Sequence, residues 1–251
     1  MEILTLTPDQ VKWLKDMNIT DYSVDDEGFV NVDGKVDISN KNLTSIPVKF
    51  GYVGGNFYCY RNKLTSLQGA PREVGGDFDC HNNKLSSLQG APKEVGGGVY
   101  CGNNNLTSLQ GAPREVGKNF WCWNNNLTSL QGAPKEVGGG FYCSYNNLIS
   151  LQGGPKEVGG DFDCTFNKLT SLQGAPREVG GDFNCQHNNL TSLQGTLQEV
   201  GGGFYCLYNN LTSLEGAPGV VGGRFNCMYN DFKAEPDHSF IKISGDFVWE
   251  R

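Results

Sequence analysis

Nine cysteines, three histidines and 27 acidic side chains are the groups in this 251-residue chain able to ligate a metal, attack a substrate or move a proton. The cysteines are Cys59, Cys80, Cys101, Cys122, Cys143, Cys164, Cys185, Cys206 and Cys227, each 21 residues after the last. None belongs to a C-x-x-C pair or a Cys/His cluster, so no metal is expected. Stacked on neighbouring strands they would lie ~4.8 Å apart, wider than the ~3.8 Å between Cβ atoms that disulfides prefer. Their number is also odd. They read as a column of buried free thiols, which implies a reducing compartment.

The histidines, His81, His187 and His238, share no locus, and inward-pointing cysteines are poor nucleophiles. Asp77 with Asp79, and Asp161 with Asp163, are i, i+2 pairs whose carboxylates fall ~6–8 Å apart on a strand. That range overlaps an inverting glycosidase pair. An open sheet has no pocket to raise one pKa or exclude water, so these carboxylates read as solvated. Asp161, Asp163 and Asp182 cannot supply the six or more oxygens of a tight calcium site. The Gly-Gly-x-Phe runs lack the helix and lysine of a phosphate loop. Neither an enzyme nor a cofactor is expected.

The spacing of the cysteines is the organising fact. Three residues after each comes an asparagine, Asn62 through Asn230, and two further on Leu64 through Leu211, with Phe232 closing the series. Two residues before each cysteine is a phenylalanine, replaced once by Val99. Alternation at Phe57 and Cys59 predicts a short strand with those side chains inward and Asn56, Tyr58 and Tyr60 outward. One such strand per 21 residues makes a parallel sheet, and the asparagines form an inward ladder that satisfies backbone groups. The column Gly54, Gly75 through Gly222 needs either positive φ or close backbone approach. Pro71 and its equivalents favour extended geometry on the outer side.

Phe-x-Cys-x-x-Asn-x-Leu-x-x-Leu resembles the leucine-rich repeat pattern, with Phe and Cys at its first apolar sites. It is most similar to the short bacterial and phage-encoded arrays that run Asn-x-Leu-Thr-Ser-Leu. The resemblance implies an α/β-class solenoid with little helix: a curved parallel β-sheet of about ten coils. It departs at Gly-Gly-x before each Phe and at Thr196-Leu197-Gln198, which replaces Ala-Pro-Lys/Arg. The chain is expected to be one domain: residues 1–41 as N-terminal cap and degenerate first coil, 42–231 as nine repeats, and 232–251 as C-terminal cap. Thr7-Pro8-Asp9 predicts a helix with Val11, Leu14 and Met17 on one side. Val30 to Ile38 predicts a hairpin around Asp33-Gly34. Phe247 to Trp249 predicts a closing strand.

Net charge is −7, without the basic surplus of a nucleic-acid or membrane-surface binder. No run approaches the ~18 apolar residues of a membrane span. Met1-Glu2-Ile3-Leu4-Thr5 has neither a basic nor an apolar leader region, so a cytoplasmic location is expected. Lys and Arg at 72, 93, 114, 135, 156 and 177, each followed by Glu, read as a solvated charge ladder.

Three outward positions around each cysteine vary while the repeat around them is nearly constant. Eleven of their 27 residues are aromatic. Tyr58, Tyr60, Tyr100, Trp121, Trp123, Tyr142, Tyr145, Phe166, Tyr205 and Tyr208, with Asp161, Asp163 and Asp182, are the predicted partner-binding residues. The acids would meet a basic patch. Cross-strand stacking that serves only the sheet is the competing explanation. The resemblance implies an adaptor or an inhibitor of a host protein; secreted effectors of this type often carry a ubiquitin-ligase domain, for which this chain has no room. A carbohydrate-binding module with aromatic platforms, or a self-associating structural protein, remains open beside it.

Overall fold

A computed structural model describes residues 5–250. Its organising unit is a coil of 21 residues that passes once through each of two parallel sheets. The first, here the Phe sheet, has 11 strands running from Val36–Asp37 through Phe57–Tyr58 and its equivalents to Phe247–Val248. Phe120 pairs with Val99 on one side and Phe141 on the other, so identical positions stack in register. Hydrogen bonds continue past each two-residue strand: Cys59 N donates to Asp79 O and Arg61 N to His81 O, at 2.8 and 3.0 Å. The fold is a leucine-rich-repeat-like β-solenoid of about ten turns with one N-terminal helix.

The second sheet was not expected. Seven of its 12 strands are Glu-Val pairs, from Glu73–Val74 to Glu199–Val200, preceded by Ser23–Val24, Val30–Val32 and Phe50–Val53 and continued by Val220–Val221 and Lys242–Ile243. Val points into the core and Glu outward. The Glu row beside the Lys/Arg row is the predicted charge ladder, with contacts such as Arg177–Glu178 at 3.7 Å.

Three columns close the interior. The Phe, Cys and Leu positions are buried in every repeat, with Val99 and Phe232 as the substitutes, and the phenylalanines stack at 5.2–5.5 Å from Phe120 to Phe204. The asparagine ladder joins each coil to the one before it. Asn146 Nδ2 donates to the carbonyls of Cys122 and Cys143, both at 3.1 Å, and its Oδ1 accepts from Leu127 N at 3.0 Å. One amide thereby satisfies backbone groups that a turn leaves buried and unpaired. The Gly54–Gly222 column has the second of its two predicted reasons. A Cβ on Gly138 would lie 2.4 Å from Gly117 O, and φ in this column is not positive.

Several local expectations are corrected. Val30–Val32 and Val36–Asp37 do not form a hairpin; they belong to different sheets, and Asp33-Gly34 turns a corner of the first coil. The real hairpin is Ser23–Val24 against Val30–Val32, with Asp25 Oδ1 accepting from Glu27 N and Phe29 N. Pro71 and its equivalents are buried rather than outward. The helix Pro8–Asp16 has its capping box, Thr7 with Gln10, and buries Leu14, but Val11 is exposed and Trp13 packs in its place. At Thr196-Leu197-Gln198 the array keeps its register, because Leu197 is buried there and Glu199–Val200 still pairs on both sides. Phe247–Val248 closes the Phe sheet as predicted, with His238 stacked on Phe247 at 3.8 Å. The leader reading rests mostly on residues 1–4, outside the described residues.

Candidate functional site

The predicted site residues fall into three rows along the Phe sheet, and the rows differ in what holds them. In the row between Phe and Cys, Tyr58, Tyr100, Trp121, Tyr142 and Tyr205 are half-buried. Tyr142 lies back over Gly140, where a Cβ would come within 2.6 Å of the ring, and Tyr205 lies over Gly203 in the same way. Trp121 stacks on Tyr142 at 3.8 Å and on Tyr100 at 6.4 Å. Its indole N–H is buried without a hydrogen-bond partner among the described residues. Burial, then the nearby Asp77, raises the Tyr100 phenol pKa; burial and Asp161 do the same for Tyr142. These rings serve the sheet as much as any partner.

The acids also have structural work. Asp161 Oδ1 accepts from Asp182 N at 2.9 Å, and Asp182 Oδ1 accepts from Gly203 N at 2.6 Å. Asn119 does the same toward Gly140 N, so the hydrogen bond needs an Asp or Asn oxygen rather than a charge. Asp163 Oδ1 accepts from Thr165 N at 2.9 Å, as Asn226 does from Met228 N. The fold thus explains an Asx side chain at each place, which the sequence reading had left to a partner. It does not explain the charge. Among the described residues no Lys, Arg or His pairs with Asp161, Asp163 or Asp182.

In the row after Cys, Tyr60 stacks on His81 at 4.8 Å, and the Trp123 indole covers Gly102. His81 Nδ1 lies 2.6 Å from Asp79 Oδ1, a half-buried pair that sequence spacing did not single out. His187 and His238 lie on other coils. Among the described residues no group of three or more His, Cys, Asp or Glu could hold a metal ion. Burial pushes the thiols up, that of Cys227 to about 12, so none is a nucleophile near neutral pH. No helix among the described residues is long and apolar enough to cross a membrane.

The third row, two residues after Cys, stands apart. All nine of its residues have φ between 50° and 56°, the left-handed region. Arg61, Asn82, Asn103 and Asn124 occupy it first; Asn tolerates this conformation well. From Tyr145 onward it is aromatic: Tyr145, Phe166, His187, Tyr208 and Tyr229 stack face to face at 4.5, 4.3, 4.4 and 4.4 Å, within 10° of parallel. Tyr145, Phe166, Tyr208 and Tyr229 remain 40–53 % exposed. The left-handed backbone costs a residue with a Cβ about 1–2 kcal/mol, whereas an aromatic pair contributes about 0.5–1.5 kcal/mol beyond area burial. Intrinsic backbone preference therefore opposes the ladder, and its stacking does little more than offset that cost. Sequence reasoning named Tyr145, Phe166 and Tyr208 but missed His187 and Tyr229. The three asparagines that precede them in register were the available signal for a left-handed position.

No protein-family model matches the sequence, and no curated protein matches it. Among solved structures it is similar to YopM from Yersinia enterocolitica WA-314, with 16 % identity and a TM-score of 0.36 over 86 % of this chain. The chain spans 64 % of the length of that protein. It is also similar to YopM of Yersinia pestis, described as a leucine-rich effector protein, with 14 % identity and a TM-score of 0.26 over 86 % of this chain and 88 % of that one.

Proposed function

We propose that this chain is a non-enzymatic protein-binding scaffold of a reducing compartment, serving as an adaptor or inhibitor. Its interface is the C-terminal half of the Phe-sheet face and the aromatic ladder along its flank. The observation that carries this reading is the ladder: four exposed aromatic side chains held on left-handed backbone where the same fold elsewhere uses asparagine. Side chains kept against local backbone preference mark functional positions, and exposed aromatics on a rigid frame are the usual anchors of protein interfaces. The unpaired charges of Asp161, Asp163 and Asp182 lie on the same coils and suit a basic patch.

A glycan platform is the weaker reading, because sugars stack on ring faces. Here the faces of Phe166, His187 and Tyr208 are consumed by their neighbours, and only edges are presented. The test is affinity capture from host lysate under reducing conditions with Asp161→Asn/Asp163→Asn/Asp182→Asn beside the wild type. Asn fills the equivalent positions at Asn119 and Asn184, so the variant keeps its hydrogen bonds and loses only charge. A protein retained by the wild type and released by the variant, more readily in high salt, supports the reading. Identical salt-insensitive captures remove the acids from it.

A further inference from the structure

The geometry of the ladder limits what can lie along it. Its exposed edges repeat once per coil, with centroids 4.3–4.5 Å apart over five rings. A helix presents one face every ~5.4 Å, and an extended strand every ~6.8 Å. Neither keeps step with the row. A second stack of parallel coils does.

The column beside the ladder says which stack. Two residues after each ring come Asn147, Lys168, Asn189, Asn210 and Asp231. This column holds one cation and one anion, both exposed, and neither forms an ion pair among the described residues. Two charges of opposite sign in one column are complementary to themselves when a second copy lies antiparallel. N-terminal to Tyr145 the ring positions turn polar, at Arg61, Asn82, Asn103 and Asn124, which delimits the seam. On the other flank, Leu207 and Met228 widen the apolar strip beside Tyr208 and Tyr229.

We propose that a second copy of this chain docks antiparallel along the ladder. The coil of Phe166 and Lys168 lies opposite the other copy's coil of Tyr229 and Asp231, and the coil of His187 opposite that of Tyr208. The two-fold axis makes each Lys168–Asp231 pair occur twice. The exposed rings that this register pairs, Phe166, Tyr208 and Tyr229, present about 300 Å² in all, under half of the ~800 Å² per partner buried in a stable interface. The dimer is therefore reversible and forms at micromolar or higher concentration. This inference rests on the ladder being a protein interface and names its occupant.

Sedimentation velocity of the full chain in reducing buffer, from low to high micromolar concentration, tests it. The wild type is expected to double in mass across the series. Lys168→Glu and Asp231→Lys each place like charges opposite one another twice and weaken the dimer tenfold or more. The combined Lys168→Glu/Asp231→Lys variant restores it. Phe166→Asn/Tyr208→Asn, which uses the residue native to the first half of the row, loses the dimer and keeps the fold. A wild type that stays monomeric throughout overturns the proposal, as does a combined variant no stronger than the single ones. If the wild type is monomeric but Phe166→Asn/Tyr208→Asn releases a captured protein, the second copy is excluded and the protein interface stands. If that variant captures the same proteins as a monomeric wild type, both fall.

Discussion

Raising pH should unfold this protein steeply, because of its nine buried thiols. An exposed thiol ionises near ~8.5; in the array, burial pushes each one up, Cys227 to about 12 and the interior ones further. Well below ~8.5, near neutral pH, folded and unfolded chains hold the same thiol protons, and the column's contribution to stability is fully present. Above it the unfolded chain releases protons that the folded chain retains, so stability falls as pH rises through the interval between the two values. Each thiol contributes about 1.4 kcal/mol per pH unit, and nine together about 12 kcal/mol per pH unit. By ~pH 9 the accumulated loss is about 8 kcal/mol, comparable to the whole stability of an ordinary domain at about 5–15 kcal/mol. Urea unfolding followed by far-UV circular dichroism, in fresh reductant between about pH 8 and pH 10, measures the slope. The expected result is cooperative loss of structure between ~pH 9 and ~10, reversed on return to neutral pH. Cys143→Ala/Cys164→Ala/Cys185→Ala should make the slope shallower by a third. Stability that stays flat to pH 10 would refute the reasoning, since the thiols would then be ionising in place.

Other perturbations separate the columns. Asn146→Ala strands the amide of Leu127, at about 1–3 kcal/mol, and takes one of two donors from the carbonyls of Cys122 and Cys143, which keep Asn125 Nδ2 and Asn167 Nδ2 at 3.1 Å. A loss of about 1–3 kcal/mol in urea unfolding is expected, and less for Asn230→Ala at the partly exposed end. Gly138→Ala forces a Cβ against Gly117 O at 2.4 Å, and its cost should far exceed the propensity change that Gly→Ala brings in open surface. Thiol-specific reagents at neutral pH should leave the native protein unmodified and label nine cysteines in urea, with Cys227 the first to react as denaturant is raised.

Much of this architecture is legible in the residues because the signal is multiplied. Phe, Cys, Asn and Leu recur in fixed register, and each has one physical task that only an inward position satisfies. The second sheet escaped notice because Glu73–Val74 and its equivalents turn a single side chain inward, so no alternation registers, whereas Phe57 and Cys59 supply two. Asp33-Gly34 suits a hairpin and a solenoid corner equally well; long-range pairing to Phe50–Val53 and Phe57–Tyr58 decided between them. At the site, spacing identified exposed aromatics but not their backbone conformation. Tyr100, Trp121 and Tyr142 looked like the centre of a binding face, yet glycine sockets and mutual stacking half-bury them. The more exposed rings are those of the left-handed row, where Asn82, Asn103 and Asn124 carry the conformational signal and the aromatics conceal it.

The central claim is that the left-handed aromatic row exists for a protein partner rather than for the fold. Affinity capture with Tyr145→Asn/Phe166→Asn/Tyr208→Asn/Tyr229→Asn tests it most directly, once circular dichroism has confirmed that the array is intact. The account predicts that the variant folds, as Asn82, Asn103 and Asn124 do in the same conformation, and loses the proteins that the wild type retains, a second copy of the chain included. A folded variant that retains the same proteins would contradict it.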